Sequence, residues 1–459
     1  MLRKIFRRAF VISALVMWFV LRMLASVTGL RRLWWLLTGR GAAWRPLTGA
    51  AALRQLFEDL GPTYIKFGQI IASSPGLFPD ALSTEFQRCL DQVPPFPLAD
   101  VYRIIEADLG RPHDALFETF EPVPIAAASI AQVHAATLPG GGAVVVKVQR
   151  PGIADRVDGD LFFMKLGARL VSWFSRAARA ANVVGVVEDF SKTIHEEMDF
   201  RTEARNMEEF NGLMAKHGVK AVRAPAVHWD HTAEHVLTME RFYGFKADDV
   251  AAAREHAIDT EKHLRIGMRA WLLTVLLHGF FHGDVHAGNL MFLPATREIG
   301  FLDFGIIGRF SAEQRHMVMR YILTFAAQDF EGLARVLVEM GSAPAHVDIP
   351  AFGRDLEETY SPLLSMNLAD IQYGDMITKS TRTALKYGVT LPREFLLILK
   401  QMLFFDRYAR LAAPTLNVFN DIYLVDFLFT PMAKEAGIDT GAIMGLLLKI
   451  QARTAARVG

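Results

Sequence analysis

Apolar positions run almost unbroken from Ala9 to Leu21, interrupted only by Ser13, and resume from Met23 to Leu30 after Arg22. At ~1.5 Å rise per residue the first run covers about 20 Å as a helix, short of a ~30 Å hydrocarbon core. Residues 41–52, rich in Gly and Ala around Pro46, read as a linker. Apolar positions then recur at helical spacing over 53–60, 63–73, 79–93 and 99–109, each stretch set off by Gly or Pro. A β-rich passage follows over 125–148, where Gly140, Gly141 and Gly142 predict a hairpin turn between strands at 131–138 and 143–148. The pattern predicts helix in two pieces over 160–216 and short strands at 224–229 and 235–240, with Pro225 tolerable only near a strand start or edge. Nearly everything later is helical except around 282–305. The expected molecule is α+β, with a small sheet and its helices, then a larger helical lobe, and a cleft between them for a ligand.

Charge divides the chain more sharply than hydropathy does. Ten basic residues precede the first acidic one, Glu58, so residues 1–57 carry +10, and the remaining 40 basic and 49 acidic residues leave −9. Four of the seven tryptophans, Trp18, Trp34, Trp35 and Trp44, also fall in this leader. A basic, Trp-rich, apolar segment suits the membrane interface, with Arg side chains reaching headgroups and indoles at their level. A packed helix and a cleaved signal peptide are the alternatives, although no good small-x-small cleavage site follows Leu21. A nucleic-acid binder is disfavoured, because its basic surface would belong to the folded body. The single Cys89 makes no intramolecular disulfide and no Cys-rich zinc site, and reads as a small buried hydrophobe in a reducing compartment.

The chemistry concentrates in Phe281-His282-Gly283-Asp284-Val285-His286-Ala287-Gly288-Asn289-Leu290 and Phe301-Leu302-Asp303-Phe304-Gly305. Asp284 followed five residues later by Asn289 has the catalytic-loop spacing of protein kinases, and Asp303, opening Asp-Phe-Gly, supplies a second metal carboxylate. Asp284 is the candidate catalytic carboxylate, and Asn289 and Asp303 are the candidate Mg²⁺ ligands. Upstream, Val144-Val145-Val146-Lys147 places a lysine at the end of an apolar strand, where it can reach the α- and β-phosphates. Its carboxylate partner is Glu197 or Glu203, which lie about 240° apart on a single helix. Met239 and Glu240 end a strand whose backbone could meet an adenine edge, and Gly244 lets the chain turn after it. Each feature alone has a plainer reading: Lys147 as a surface lysine, Asp-Phe-Gly as a common turn, and His282, Asp284 and His286 as zinc or iron ligands on a strand. Only phosphoryl transfer uses them together with Asn289, Asp303 and Lys147. Where kinases carry a Gly-rich loop this chain has Pro124-Ile125-Ala126-Ala127-Ala128-Ser129-Ile130-Ala131, and alanine resists the positive φ that lets glycine backbone approach phosphate. No Gly-Lys dipeptide occurs, so a P-loop is absent.

The alanine-rich loop, Lys147 running into Val148-Gln149-Arg150-Pro151-Gly152, and Leu60-Gly61-Pro62-Thr63-Tyr64-Ile65-Lys66-Phe67-Gly68-Gln69 together resemble the UbiB family of atypical kinases, called ADCK proteins in animals. Leu90-Asp91-Gln92-Val93-Pro94-Pro95, Glu197-Met198-Asp199, Met239-Glu240 and His282 through Asn289 extend the resemblance. It implies an atypical protein-kinase-like fold with a small β-containing N-lobe, a larger helical C-lobe and an N-terminal helical extension. The corresponding domains are a membrane-associating leader at 1–45, the extension at 46–120, the N-lobe at 121–244 and the C-lobe at 245–459. The family's Lys-x-Gly-Gln motif falls on Lys66, Gly68 and Gln69, and its lysine is expected to engage Glu197 and Asp199, leaving Glu203 to Lys147. The resemblance further implies ATP or ADP with Mg²⁺, nucleotide contacts from Ala126, Ala127, Ala128, Ser129, Lys147, Met239 and Glu240, and support of isoprenoid-quinone biosynthesis. Expected partners are a membrane lipid surface through residues 1–40 and a quinone precursor or its biosynthetic enzymes, with no nucleic acid, and homo-oligomerisation is allowed. The expected location is the cytoplasmic face of a membrane, peripheral or N-terminally anchored. Two other classes stay open: a phosphotransferase acting on a small molecule or protein, and a nucleotide-binding regulatory scaffold.

The chain also departs from the family pattern. Ala287 replaces the usual catalytic-loop Pro and Gly283 stands where Ala is frequent, giving the His-Gly-Asp of small-molecule kinases of the aminoglycoside phosphotransferase type. Many bacterial members end in two hydrophobic helices, whereas residues 441–459 hold one short apolar run, at 442–448, so the N-terminal leader is the expected anchor.

Overall fold

Helix α1 (Leu2–Val27) is followed by α2 (Gly49–Leu60), α3 (Pro62–Ala72), α4 (Asp80–Phe86) and α5 (Leu98–Leu109). Strands β1 (Thr119–Phe120), β2 (Ala126–Ala127), β3 (Ala131–Thr137) and β4 (Ala143–Gln149) lead to helices α6 (Ile153–Phe174), α7 (Val183–Glu196) and α8 (Phe200–Lys216). These ranges come from a computed structural model, which describes residues 2–27, 49–72, 80–86, 88, 94–175, 179, 183–285, 287–341, 343–344, 346–361, 373–389, 422–424 and 441. The chain next forms β5 (Val222–Arg223), β6 (Val236–Glu240), β7 (Phe245–Lys246), α9 (Val250–Glu255) and α10 (Thr260–Leu273), which runs on into a π turn at Thr274–His278. Strands β8 (Phe280–His282), β9 (Leu290–Leu293), β10 (Glu298–Phe301) and β11 (Ile307–Arg309) precede α11 (Ala312–Ala327), α12 (Phe330–Met340), α13 (Ile349–Tyr360) and α14 (Tyr373–Lys386). The residues group into two compact units, Met1–Thr202 with His228–Glu240, and Glu203–Val227 with Arg241–Gly459.

In the first unit the sheet runs β1-β3-β4-β6, with β2 added to β3. Period-two alternation on β4 buries Val144, Val146 and Val148 against Val101 and Ile105 of α5, with Leu116, Phe117, Ala136 and Val236 completing that core. Each buried valine contributes about 1.5–3 kcal/mol, so this face fixes the register, and Lys147 necessarily emerges on the other face. The helices of this unit meet around one buried carboxylate. Asp160 of α6 is fully buried and accepts from Arg8 of α1 through both oxygens, at 2.6 and 3.0 Å. Arg8 and Arg156 also both donate to the carbonyl of Leu60, the last residue of α2, at 2.6 and 3.0 Å, satisfying a helix end that has no internal partner. Burial, with Asp160 nearby, pushes the phenol of Tyr64 well above its ordinary range.

The second unit contains a β5-β10-β9-β7 sheet and a separate β8-β11 pair. Phe210 of α8 packs its ring 5.2 Å from those of both Phe301 and Phe304, forming the core beneath the Asp-Phe-Gly turn. Ser311 and Gln314 close a reciprocal capping box at the start of α11.

Several sequence expectations shift. Residues 49–52 are not linker but the first turn of α2, with Ala52 buried. The strand expected at 224–229 is instead Val222–Arg223, followed by a 3₁₀ turn at Trp229–His231. Pro225 has no N–H to continue a ladder, and the Asn211 side chain takes over both backbone groups of Ala224, at 2.8 and 3.1 Å. Among the described residues the span 160–216 contains three helices rather than two, the first starting at Ile153. Gly244 has no left-handed φ; a Cβ there would overlap the carbonyl of Phe292, so close approach to β9 is what requires glycine. Among the described residues no helix is long and apolar enough to cross a membrane. Residues 28–48, Cys89 through Val93, and the apolar run at 442–448 lie outside the described residues.

Candidate active site

Register gathers the first unit's candidate residues onto one sheet face. Ala126 opposes Val133, Val133 opposes Lys147, Lys147 opposes Leu237, and Val145 opposes Met239, so these side chains share the face opposite the valine core. Glu240 opposes Val144 and therefore turns to the other face from Met239. The alanine-rich segment is partly strand: Ala126 and Ala127 pair with β3, and the Ala128 N–H donates to the Ala131 carbonyl at 2.8 Å. None of the three alanines has a positive φ, and Ser129 is buried beneath the turn. Arg150 donates to the Ala128 carbonyl at 2.9 Å, tying the turn to the end of β4.

Glu197 and Glu203 do not share a helix, which corrects the single-helix geometry expected from their spacing. Helix α7 ends at Glu196 and α8 begins at Phe200, and in the break Asp199 accepts from the Arg201 N–H at 3.0 Å as the cap of α8. The Arg201 guanidinium also donates to both Asp199 oxygens. Glu197 is nearly buried and lies 3.0 Å from Nζ of Lys66 on α3, where Gly68 is buried and Gln69 half-buried. The Gln149 side chain donates to the Met198 carbonyl at 2.7 Å, joining the Lys147 strand to the same break. Lys147 Nζ stands 5.2 Å from the ring centroid of Phe200. Glu203, buried, is one helical turn further along α8 from Phe200, on the same face.

In the second unit, β8 and β11 pair so closely at their ends that the Gly283 N–H donates to the Ile306 carbonyl at 2.8 Å. A Cβ on Gly283 would come within 2.9 Å of the Ile306 side chain, which accounts for His-Gly-Asp here. His282 is buried, and its Nε2 can only donate to the Leu302 carbonyl, 2.9 Å away. Its Nδ1 is then the acceptor for the Asp284 N–H at 3.1 Å, so one neutral imidazole joins the Asp284 loop to the strand before Asp303. Both ring nitrogens face backbone groups, which removes His282 from a metal-ligand reading, and His286 lies outside the described residues. No cluster of three or more His, Cys, Asp or Glu that could hold a metal occurs among the described residues.

Asn289 is buried and donates through Nδ2 to the Asp284 carbonyl at 3.0 Å, while its own carbonyl accepts from Leu302 N–H at 2.8 Å. Its Oδ1 is therefore the atom left for a cation. Asp303 is exposed, with φ at 56°, and Phe304 is fully buried behind it. Two oxygen donors of this kind, one carboxylate and one carboxamide, suit a hard cation that keeps waters and phosphate oxygens as its other ligands, as Mg²⁺ does. One contributor had no signal in the motif spacing: Asn206 of α8 donates to the Phe304 carbonyl at 3.1 Å, and Arg309 holds Asn206 Oδ1 at 3.1 Å while chelating Glu209 at 2.7 and 3.0 Å.

Residues 88–337 match the ABC1 atypical kinase-like domain. An uncharacterized aarF domain-containing chloroplastic protein kinase of Arabidopsis thaliana is 39% identical, over 80% of this chain and 73% of that protein. An uncharacterized protein of Mycobacterium tuberculosis is 42% identical, over 82% of this chain and 77% of its own, and a probable protein kinase UbiB of Marinobacter nauticus is 33% identical, over 80% and 68%. A solved Mycobacterium tuberculosis protein in complex with erythromycin shares the fold, at a TM-score of 0.50 and 22% identity, over 79% of this chain and 96% of that one. The chain belongs to the ABC1, or UbiB-like, family of atypical kinases.

Proposed function

We propose that this protein is a membrane-associated atypical kinase or ATPase that binds Mg-adenine nucleotide and supports isoprenoid-quinone biosynthesis or lipid handling. The observation carrying the reading is the pairing of Asn289 with the chain just before Asp303, the Leu302 N–H donating to the Asn289 carbonyl, which sets Asn289 beside the residue preceding Asp303. Asn289 and Asp303 would hold Mg²⁺, which when bound neutralises phosphate oxygens. Lys147 would bind the α- and β-phosphates with Glu203 orienting it, and the backbone at Met239 and Glu240 would meet the adenine. Asp284 would accept a proton from the attacking oxygen, held in place by His282 through its own N–H. The Lys66–Glu197 ion pair supports the family's expectation that α3 limits protein acceptors, which favours water or a lipid. Gly283 and its tight packing favour a small-molecule acceptor as the second reading.

Purified full-length protein with Mg²⁺ is expected to hydrolyse ATP faster when anionic liposomes or a quinone-precursor analogue are added. Asp303→Asn is expected to lower turnover by at least about a hundredfold while circular dichroism stays unchanged. Turnover indifferent to lipid would contradict the membrane part, and an active Asp303→Asn would contradict the metal assignment.

A further inference from the structure

Helix α6 is apolar on the wrong side for a helix that only packs into its own domain. Its inward face, Val157, Asp160, Leu161, Met164 and Ala168, is buried. On a 100° wheel Phe162, Leu166, Leu170, Trp173 and Phe174 fall within about 120° on the opposite side. All five are exposed, Trp173 at 74% and Phe174 at 81%. Lys165 and Arg169 line one edge of this stripe. At the far end the Arg179 guanidinium donates to the carbonyls of Ser172 and Trp173, at 2.7 and 2.9 Å, closing the last turn of α6.

Helix α1 has the same character. Arg8, Ile12, Leu15 and Phe19 form its half-buried or buried stripe, and it packs against α2 and α6. From Phe10 to Leu21 its exposed side chains are apolar apart from Ser13, with Phe10 at 76% and Trp18 at 57%. The Arg8–Asp160 ion pair pins α1 to α6, so two exposed apolar faces belong to one rigid helical group.

We propose that the outer faces of α6 and α1 form one bilayer-docking surface, which takes the interfacial zone of an anionic membrane. The inference rests on the membrane reading above and adds a second lipid-facing helix, which begins at Ile153, about a hundred residues beyond the leader's end in sequence. Charge selects the occupant: aromatic and aliphatic side chains edged by Lys165 and Arg169, beside a leader of net +10, complement anionic headgroups. Contiguous exposed apolar faces rimmed by polar residues mark protein or membrane interaction sites. The surface also lies next to the candidate machinery. Helix α6 follows directly from the Lys147 strand, and it packs against α3, which carries Lys66, and α7, which leads into Glu197.

The test is vesicle co-sedimentation of the full-length protein with phosphatidylcholine vesicles, with and without phosphatidylglycerol. A triple variant, Phe162→Ser, Leu166→Ser and Trp173→Ser, replaces only exposed or outward side chains, so an unchanged melting temperature is expected. Its affinity for the anionic vesicles is expected to fall at least about tenfold. Equal binding by wild type and variant would overturn the α6 surface and leave the membrane reading intact. A wild type that ignores both vesicles would overturn that reading and the surface with it. A variant that binds vesicles normally but changes from dimer to monomer in light scattering would show that a second copy covers the face, and would also overturn the proposal. Independently, an environment-sensitive fluorophore on Trp173→Cys in a Cys89→Ser background should be quenched by brominated lipids; vesicle-bound protein without quenching would refute it.

Discussion

Asp303 is an L-residue at φ 56°, a left-handed conformation that costs about 1–2 kcal/mol and must be stabilised by its surroundings. Phe304 anchors one side by burial, and Asn206 holds the Phe304 carbonyl from α8. Asn206→Ala is therefore expected to weaken activation of ATP turnover by Mg²⁺ about ten- to a hundredfold, as loss of an outer partner of a metal ligand does. The check is a Mg²⁺ titration at saturating nucleotide, in which restoration of wild-type turnover at high Mg²⁺ separates a positioning role from lost folding. Lys147, Asp284, Asn289 and Asp303 stand out as candidates in the sequence because their spacing along one chain is itself the signal. Asn206 does not, since it reaches Phe304 across a sequence separation of 98 and asparagine in a helix has no distinctive pattern.

Elements were legible where periodicity was strong and obscure where a side chain replaced a backbone partner. The β3-β4 hairpin was readable from alternating valines and a glycine turn, whereas the strand after Val222 failed because Asn211 captured Ala224. The break between α7 and α8 was equally hidden, since Asp199 works there as a cap and its carboxylate looked like part of a continuous helix. A second element-level device sits where α10 passes into its π turn. His278 shares a 2.7 Å hydrogen bond with His217, and burial, with His217, Lys216 and Arg315 around it, pushes its imidazole down to about 4. Above the unfolded value of about 6.5 both states are neutral at this group, and its contribution is complete. As pH falls from there towards 4 the unfolded chain takes up a proton that the folded one refuses, so stability is lost across that window. His278→Gln is expected to flatten the fall in melting temperature between those two pH values, measured by calorimetry at matched ionic strength.

For the whole molecule, near-neutral net charge is the sum of a +10 leader and a −9 remainder. Basic residues near an anionic surface contribute about 1 kcal/mol each, a term that added salt screens over a Debye length of about 10 Å at 0.1 M. Vesicle binding is accordingly expected to weaken steeply as salt is raised, and to fall to the residual set by apolar insertion. Co-sedimentation across a salt series checks this, and a flat profile would assign binding to the apolar faces alone. The fold class and the kinase-like motifs were visible in the sequence. The outward stripe on α6 was not, because a helix of mixed pattern does not announce which of its apolar faces is buried. Finally, the arginine fork at Arg8 bears on how this protein can be handled. Trimming the leader to obtain a more tractable sample is safe only short of that residue. Removing it would leave a fully buried carboxylate with Arg156, 4.0 Å away, as its remaining cation among the described residues and loosen the end of α2, so a sample improved for solubility would be a different molecule where its helices meet.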